Sequence, residues 1–466
     1  MARLLSWALR ALAIVPTTLA MFNYTDYDND FLDPSYILSK DFNLSTAAAQ
    51  QSIVEWADFL AAQGPWAVTN KTILPPSNNT HDYLSWAPYF WPNCTGVGNT
   101  TALTEQQIWL ECPYHELDGQ FNPDRLLVND TGAFEAMSDA VFYNTLAWVV
   151  TGQSNYSENA ANYINTWFVN PDTAQTPNLN YAQMDRGPTG QIGSHTGLLD
   201  FKQMAKISSA ILILRQGNSS AWTGALNTQF NNWASQYIDW MQTSPIAYKE
   251  SIATNNHGTY FYNQLASLQI VVGNTTAAIN TTQTYFKEQY LNQIDLTGEQ
   301  PLEAIRTHPY HYRCYNLAAM IVEARIGDYL GLNFWNTTTT QGATIQTAAD
   351  FAMTQQLGDP TDGPLSELYP SLAKVAAVYG DPDGKYAAFM KNAEAEYPAE
   401  PYFLWNQNFS DSGLAAATPT SGGPSLPGYT GKYGSANRAP AKAHVNSLLL
   451  AGGAVLVSAA FAFASV

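Results

Sequence analysis

Residues 201–241 read FKQMAKISSAILILRQGNSSAWTGALNTQFNNWASQYIDWM, and the spacing of their apolar side chains decides the fold class. Phe201, Met204, Ile207, Ile211 and Leu214 recur at three- and four-residue steps, the period of one face of an α-helix. Gly217-Asn218 interrupts the pattern, and Leu226, Phe230, Trp233, Tyr237 and Met241 resume it. The same reading extends in both directions: to Trp56, Phe59 and Leu60; to Met137, Ala140, Val141 and Leu146; to Tyr163, Trp167 and Phe168; and to Leu317, Met320, Ile321 and Ala324. Gly152, Asn170-Pro171, Gly273-Asn274, Gly327 and Gly380 read as breaks between helices. Strand-like alternation is scarce, and there is no βαβ unit, Gly-rich nucleotide loop or fixed-period repeat. Roughly ten or more helices joined by short loops predict an all-α domain, an (α/α) barrel or toroid of paired helices spanning residues 21–410. Its cleft would lie at one end, among the helix-joining loops, and would suit a long polymer.

Composition narrows the function. With 466 residues, 46% of them hydrophobic and 12% charged, the chain buries a large core and is no disordered tail. Asp and Glu total 38 against 20 Lys and Arg, a formal charge of −18, which excludes a surface that tracks nucleic-acid phosphates. Three cysteines exclude both a disulfide-stapled miniature and a Cys-rich zinc fold. Cys94 and Cys112, 18 apart in a loop-like stretch, are expected to pair in an oxidising compartment, and Cys314 to stay a buried free thiol.

The two ends carry addresses. Residues 1–20 have Arg3 and Arg10, an apolar run Ala11 to Val15 and small residues before position 21, the pattern of a cleaved secretory signal. Residues 411–437 form a Ser/Gly/Pro/Thr-rich stalk, and residues 438–466 a polar spacer and an apolar tail with no basic flank. That order matches a glycosylphosphatidylinositol attachment signal, with Gly434, Ser435 and Asn437 as candidate anchor residues; a true tail anchor is the alternative. Removing both segments takes Arg3, Arg10, Arg438 and Lys442 and no acid, so the remaining body is more acidic still. Thirteen Asn-x-Ser/Thr sequences, at Asn23, Asn43, Asn70, Asn78, Asn93, Asn99, Asn129, Asn155, Asn218, Asn274, Asn280, Asn336 and Asn408, are candidate glycan sites of a secreted protein. The expected product is extracellular and monomeric, held to plasma membrane or cell wall only through a lipid.

Chemistry concentrates in two stretches. Asn255-Asn256-His257-Gly258 sets an imidazole and two carboxamides where a helix begins, a favourable place for an anion; a polar cap with a satisfied His is the plainer alternative. Residues 306–316, RTHPYHYRCYN, crowd cations, imidazoles and phenols into a charge-poor chain. Arg306 can neutralise a carboxylate while Tyr312 exchanges protons, the phenol being usable as a base only where cations lower its pKa. His308 and His311 show no third ligand, so no metal is expected.

Four further stretches join these two: His81 to Pro92 (HDYLSWAPYFWP), Asp118 to Pro123 (DGQFNP), Thr166-Trp167-Phe168 with Pro177 to Gln183, and His195 with Gly197 to Phe201. In this order, over about residues 80 to 350, they resemble the alginate-lyase-domain polysaccharide lyases. Tyr89-Phe90-Trp91-Pro92 stands where that family has Tyr-Trp-Trp-Pro, and the six-residue step from Arg306 to Tyr312 fits the relatives grouped with glucuronan lyases. The resemblance implies an (α/α) barrel that cleaves acidic polysaccharide by β-elimination without a cofactor. Asn256 and Arg306 would donate to the uronate carboxylate and Tyr312 would protonate the C4 leaving oxygen. For mannuronate or glucuronate, H5 and O4 share a face, so Tyr312 could be base and acid in turn; for guluronate, His257 would be the base. His195 would bind substrate or orient Tyr312. Trp86, Tyr89, Trp91, Trp167 and Tyr181 are candidates for stacking on sugars, with core packing as the alternative, above all for Trp167. An acidic body with an anionic substrate requires a local positive cleft, for which Arg125, Arg186, Arg306 and Arg313 are available.

Two other classes remain open at this stage. A glycoside hydrolase on the same barrel needs two free carboxylates, for which Asp118, Asp185, Glu299 and Glu303 can be nominated. A non-catalytic carbohydrate-binding surface glycoprotein would keep the scaffold alone.

Overall fold

The computed structural model describes residues 29–98, 102–355, 357, 362–393 and 397–406. The expected leader, stalk and tail lie outside these residues, as do Asn23, Asn99 and Asn408.

The helices, in chain order, begin with α1 (Pro34–Ser39), α2 (Ala47–Ala61), α3 (Glu105–Glu111), α4 (Asp130–Thr151), α5 (Ser154–Ile164) and α6 (Met204–Gln216). They continue with α7 (Gly224–Thr243), α8 (Pro245–Ser251), α9 (Asn256–Val271), α10 (Thr275–Lys287) and α11 (Pro301–Ala304). The last are α12 (Pro309–Tyr329), α13 (Ile345–Met353), α14 (Tyr369–Tyr379), α15 (Lys385–Ala393) and α16 (Tyr402–Trp405). Two short strands, β1 (Phe90–Pro92) and β2 (Tyr114–Glu116), pair antiparallel, and Cys94 is bonded to Cys112 beside them, while Cys314 is free and buried.

Two kinds of helix build the expected toroid. In α7 the buried residues form one stripe, Leu226, Phe230, Trp233, Ala234, Tyr237 and Met241, so only that face leaves water. In α9 every residue from Gly258 to Val271 is buried, which marks a helix covered on all sides. The ring closes through contacts of α2 with α4, α4 with α6, α6 with α9, α9 with α12, α12 with α14, α14 with α16, and α16 with α2. Outside it, α5 packs on α4, α7 and α10 on α9, and α13 on α12.

Ion pairs tie the ring where apolar packing alone would leave its order unspecified. Lys206 pairs with Asp139, and Lys202 lies 3.9 Å from Glu135, joining α6 and its lead-in to α4. Asp30, fully buried, accepts from Arg325 at 3.2 Å and Trp405 Nε1 at 2.7 Å and lies 3.3 Å from Lys374 Nζ. One carboxylate thus binds the first described segment to α12, α14 and α16.

Gly327 is a correction to the sequence reading. It lies inside α12, and a Cβ there would come 2.7 Å from the Phe334 ring, so the glycine makes room for packing rather than ending a helix. The ten described glycan candidates, from Asn43 to Asn336, are all exposed. Among the described residues no helix is long and apolar enough to cross a membrane.

Candidate active site

Helices α8 and α9 and the lead-in to α6 pack on one another, and α12 packs on α9. Glu250 of α8 is fully buried. It accepts from His195 Nδ1 at 2.6 Å through one oxygen and from His257 Nδ1 at 2.7 Å through the other. The glycine of the Asn-Asn-His-Gly stretch permits a close approach: a Cβ on Gly258 would lie 2.0 Å from the carbonyl oxygen of Ala253, so only glycine lets the loop fold over the helix start. Burial alone would push the Glu250 carboxyl up, but the charge of His257 and the bonds from both imidazoles hold it below its ordinary value. Burial pulls His257 down, yet the charge and hydrogen bond of Glu250, with Glu303 beyond, outweigh this and leave it raised. His257 is therefore an imidazolium to higher pH than an ordinary histidine.

Pro309 starts α12 and brings Tyr312 into its first turn. The Tyr312 hydroxyl lies 2.9 Å from Arg306 Nη2, which donates to it, and 2.9 Å from the Tyr89 hydroxyl. The Arg306 guanidinium also lies over the Tyr312 ring, 3.9 Å from its centroid. Burial, together with Tyr89, pushes the Tyr312 phenol well up, and the charge of Arg306 offsets only part of this. At rest Tyr312 is a neutral phenol, so it is loaded as an acid. Arg306 Nη2 donates in addition to Asp118 Oδ1 at 3.1 Å, and the Thr307 hydroxyl to Asp118 Oδ2 at 3.0 Å.

The structure thus brings together His195, His257, Arg306, Tyr312 and Tyr89, and moves other expected residues elsewhere. His195 does not orient Tyr312; Tyr89 and Arg306 do, and His195 serves Glu250. Asn256 is fully buried, its backbone N–H and its Nδ2 each donating to Glu303 at 2.8 Å, so its amide faces Glu303 and not the cleft. Arg313 is held through Nε and Nη2 by Glu299 at 2.6 and 2.7 Å. Arg186 is buried between the rings of Trp86 and Tyr114, 4.3 Å from each centroid, and paired with Asp124 at 3.3 Å, so neither it nor buried Trp86 offers a surface to a sugar. Trp167 is core, its indole N–H donating to Gln175 at 2.9 Å. Trp91 and Tyr181 keep partial exposure, Trp91 donating to the Gln120 carbonyl oxygen at 2.8 Å. Glu250 was invisible to the sequence reading; an acid seven residues before His257 in a charge-poor chain was the one available signal.

His195, Glu250 and His257 are also the one group among the described residues able to hold a metal ion, their ligand atoms lying within 4.8 Å of one another. As they stand, each Nδ1 is spent on the carboxylate. His311, by contrast, lies 3.2 Å from Glu367.

Of the four carboxylates a hydrolase would draw on, Asp118 holds Arg306, Glu299 holds Arg313 and Glu303 holds Asn256, which leaves Asp185, its carboxyl pushed up by burial and by Glu116, without the second free carboxylate that hydrolysis needs. What gathers here instead is a phenol, a guanidinium and an imidazole, a set that can stabilise negative charge on a carboxylate and move a proton beside it. The sequence profile of the alginate lyase family matches residues 67–362. The chain belongs to the alginate lyase family. A crystal structure of an alginate lyase from Bacteroides ovatus shares the fold with a TM-score of 0.69 at 27% identity, over 80% of this chain and 96% of that one. Alginate lyase A1-III from Sphingomonas species A1 gives a TM-score of 0.47 at 15% identity, over 76% of this chain and 89% of that one. No curated protein matches the sequence. This member of the alginate lyase family is a polysaccharide lyase on an (α/α) toroid, as its motifs implied.

Proposed function

We propose that this lyase cleaves a β-1,4-linked uronan, glucuronan or the mannuronate blocks of alginate, by syn β-elimination at Tyr312. The observation that carries the reading is the Arg306–Tyr312–Tyr89 chain of hydrogen bonds, each 2.9 Å long, around a phenol that is neutral at rest. Where H5 and O4 share a face, the Tyr312 hydroxyl hands its proton to O4 as its oxygen takes H5 in the same step, so the free phenolate that its raised pKa disfavours never forms. The C5–H and C4–O bonds break, the C5–H electron pair forms the C4=C5 double bond, and Tyr312 ends as it began. Arg306 takes up the charge that grows on the carboxylate, with the His257 imidazole beside it.

We also propose the setting read from the termini: a secreted, N-glycosylated monomer, its leader 1–20 removed and its chain joined to a glycosylphosphatidylinositol at Gly434, Ser435 or Asn437. The exposure of all ten described acceptors supports the glycosylation. Release of cell-bound protein by a phosphatidylinositol-specific phospholipase tests the anchor.

The test of the reaction is the ultraviolet absorbance of the conjugated double bond when the ectodomain meets glucuronan, polymannuronate or polyguluronate. A rise with either of the first two is expected, and its loss in Tyr312→Phe. New reducing ends without that absorbance would overturn the reading.

A further inference from the structure

Arg306 at rest is already occupied by a carboxylate. Its Nη2 lies 3.1 Å from Asp118 Oδ1 while its plane covers the Tyr312 ring, and Tyr312 is left 1% exposed. A polymer entering this cleft meets a capped phenol and a guanidinium whose charge is already matched.

The geometry shows how Asp118 comes to be there. Gly119 has φ of +75°, and a Cβ on it would lie 2.5 Å from the Thr307 hydroxyl, so only glycine lets the Asp118 loop press against residues 306 and 307. Thr307 then fixes the second oxygen of Asp118 at 3.0 Å. Although partial burial pushes the Asp118 carboxyl up, the hydrogen bond and charge of Arg306 hold it below its ordinary value, so it stays an anion.

Of the pairs around this site, it is also the one placed to open. The side chains of Arg306 and Asp118 keep 20% and 35% of their exposure, and a pair in contact with water is weakly held and readily exchanged. Glu250 is fully buried under its two imidazoles, and Glu299 grips Arg313 with two short bonds.

We propose that Asp118 is a resident stand-in for the substrate's uronate carboxylate, and that binding exchanges one carboxylate for the other on Arg306, drawing the guanidinium off Tyr312. This rests on the reading of Arg306 as the group that receives the uronate carboxylate. Two properties follow. A neutral sugar chain has nothing to offer Arg306 in exchange and leaves Tyr312 capped, so Asp118 selects for uronates. Tyr312 is uncovered only when a carboxylate is in place beside it.

Affinity for a uronate oligomer, glucuronan- or mannuronan-derived, tests the exchange in a Tyr312→Phe background, where the oligomer survives. Adding Asp118→Asn or Asp118→Ala should tighten binding about two- to fivefold, the upper part of the range expected for release of a partly exposed ion pair. Glu116→Gln, which removes the same charge from exposed β2 without touching Arg306, should change affinity less than twofold, a bound set by screening. The carboxyl-reduced oligomer should not gain from loss of Asp118. In the enzyme with Tyr312 intact, Asp118→Asn should lower KM for the uronate polymer. Unchanged or weaker uronate binding without Asp118, or an equal gain with Glu116→Gln, overturns the proposal. No binding of any uronate oligomer overturns it together with the reading beneath it. The expected affinity order without unsaturated product from the parent protein overturns the reading alone.

Discussion

Glu250→Gln separates charge from packing at the centre of the site. Glutamine has the same shape, and it can serve both histidines if one imidazole donates its Nδ1 proton to Oε1 while the other changes tautomer and accepts from Nε2. What is lost is the charge assistance in two hydrogen bonds, at 2.6 and 2.7 Å, to a fully buried carboxylate. A hydrogen bond to a charged group contributes about 1 kcal/mol more than a neutral one. His257 counts in full, and His195, whose side chain is 41% exposed, counts for less because solvent screens it. The variant should therefore be about 1–2 kcal/mol less stable than the parent at pH 5.5. The sign with pH follows from the shifts. His257 is raised in the folded state, so its share is complete below the unfolded value near 6.5 and is lost as pH rises through the folded value. Glu250 is lowered, so its share is present above the unfolded value near 4.3 and is lost as pH falls through the folded one. Urea unfolding of both proteins at pH 5.5, 7 and 9 should show a gap that is widest at 5.5 and narrows toward 9. A gap that is constant, or that widens with pH, would refute the reasoning. The activity of the parent should fall across the same alkaline range as the imidazolium discharges, and that limb should move to lower pH in the variant.

Four other changes test separate parts of the structure. Tyr312→Phe should lower turnover by about 10³-fold, within the span of a lost general acid, with the far-ultraviolet circular dichroism unchanged. Asp30→Asn leaves buried Lys374 and half-buried Arg325 without their carboxylate and should cost about 3–5 kcal/mol in urea unfolding while KM of the surviving enzyme stays put. Arg186→Lys gives up a planar group stacked between Trp86 and Tyr114 and should lower stability by about 2 kcal/mol with no effect on KM; a rise in KM would return Arg186 to the substrate. Opening the Cys94–Cys112 bridge, whose cysteines are 18 residues apart, should lower stability by about 3 kcal/mol, measured by melting the Cys94→Ser, Cys112→Ser double variant beside the parent.

What the sequence made legible was periodicity and local crowding. The stripe Leu226 to Met241 is a direct record of one face in water and one in the core, and the toroid follows from many such stripes with short turns. The segment 306–312 and the Asn-Asn-His-Gly stretch were readable because cations, phenols and imidazoles are rare in this chain. Partnership across the fold was not readable. Glu250 and His195 are 55 residues apart, Asp118 and Arg306 are 188 apart, and no local pattern records either distance. For the same reason Arg186 and Trp86 looked like cleft residues: an arginine and a tryptophan in Pro-bounded loops are equally compatible with stacking on a sugar and stacking on each other. Gly327 misled because a glycine that ends a helix and one that admits a neighbouring ring have the same symbol.

The pairing of cation with carboxylate also resolves the apparent conflict between an acidic chain and an acidic substrate. A formal charge of −18 would repel a polyuronate if it were uniformly expressed at the cleft. Instead acids beside the reacting groups are engaged locally: Glu250 by His195 and His257, Asp118 by Arg306, Glu299 by Arg313. Such pairs hold the cations in position without leaving them uncompensated before substrate arrives. They also set a threshold, because an incoming carboxylate must do better than the one in place. Glu250, sealed from water, is not displaced, and its two imidazoles keep their orientation through the reaction; Asp118, at the rim, is displaceable. One buried acid to fix the site and one exposed acid to yield it is an arrangement that lets a strongly anionic protein bind an anionic polymer only where elimination can follow.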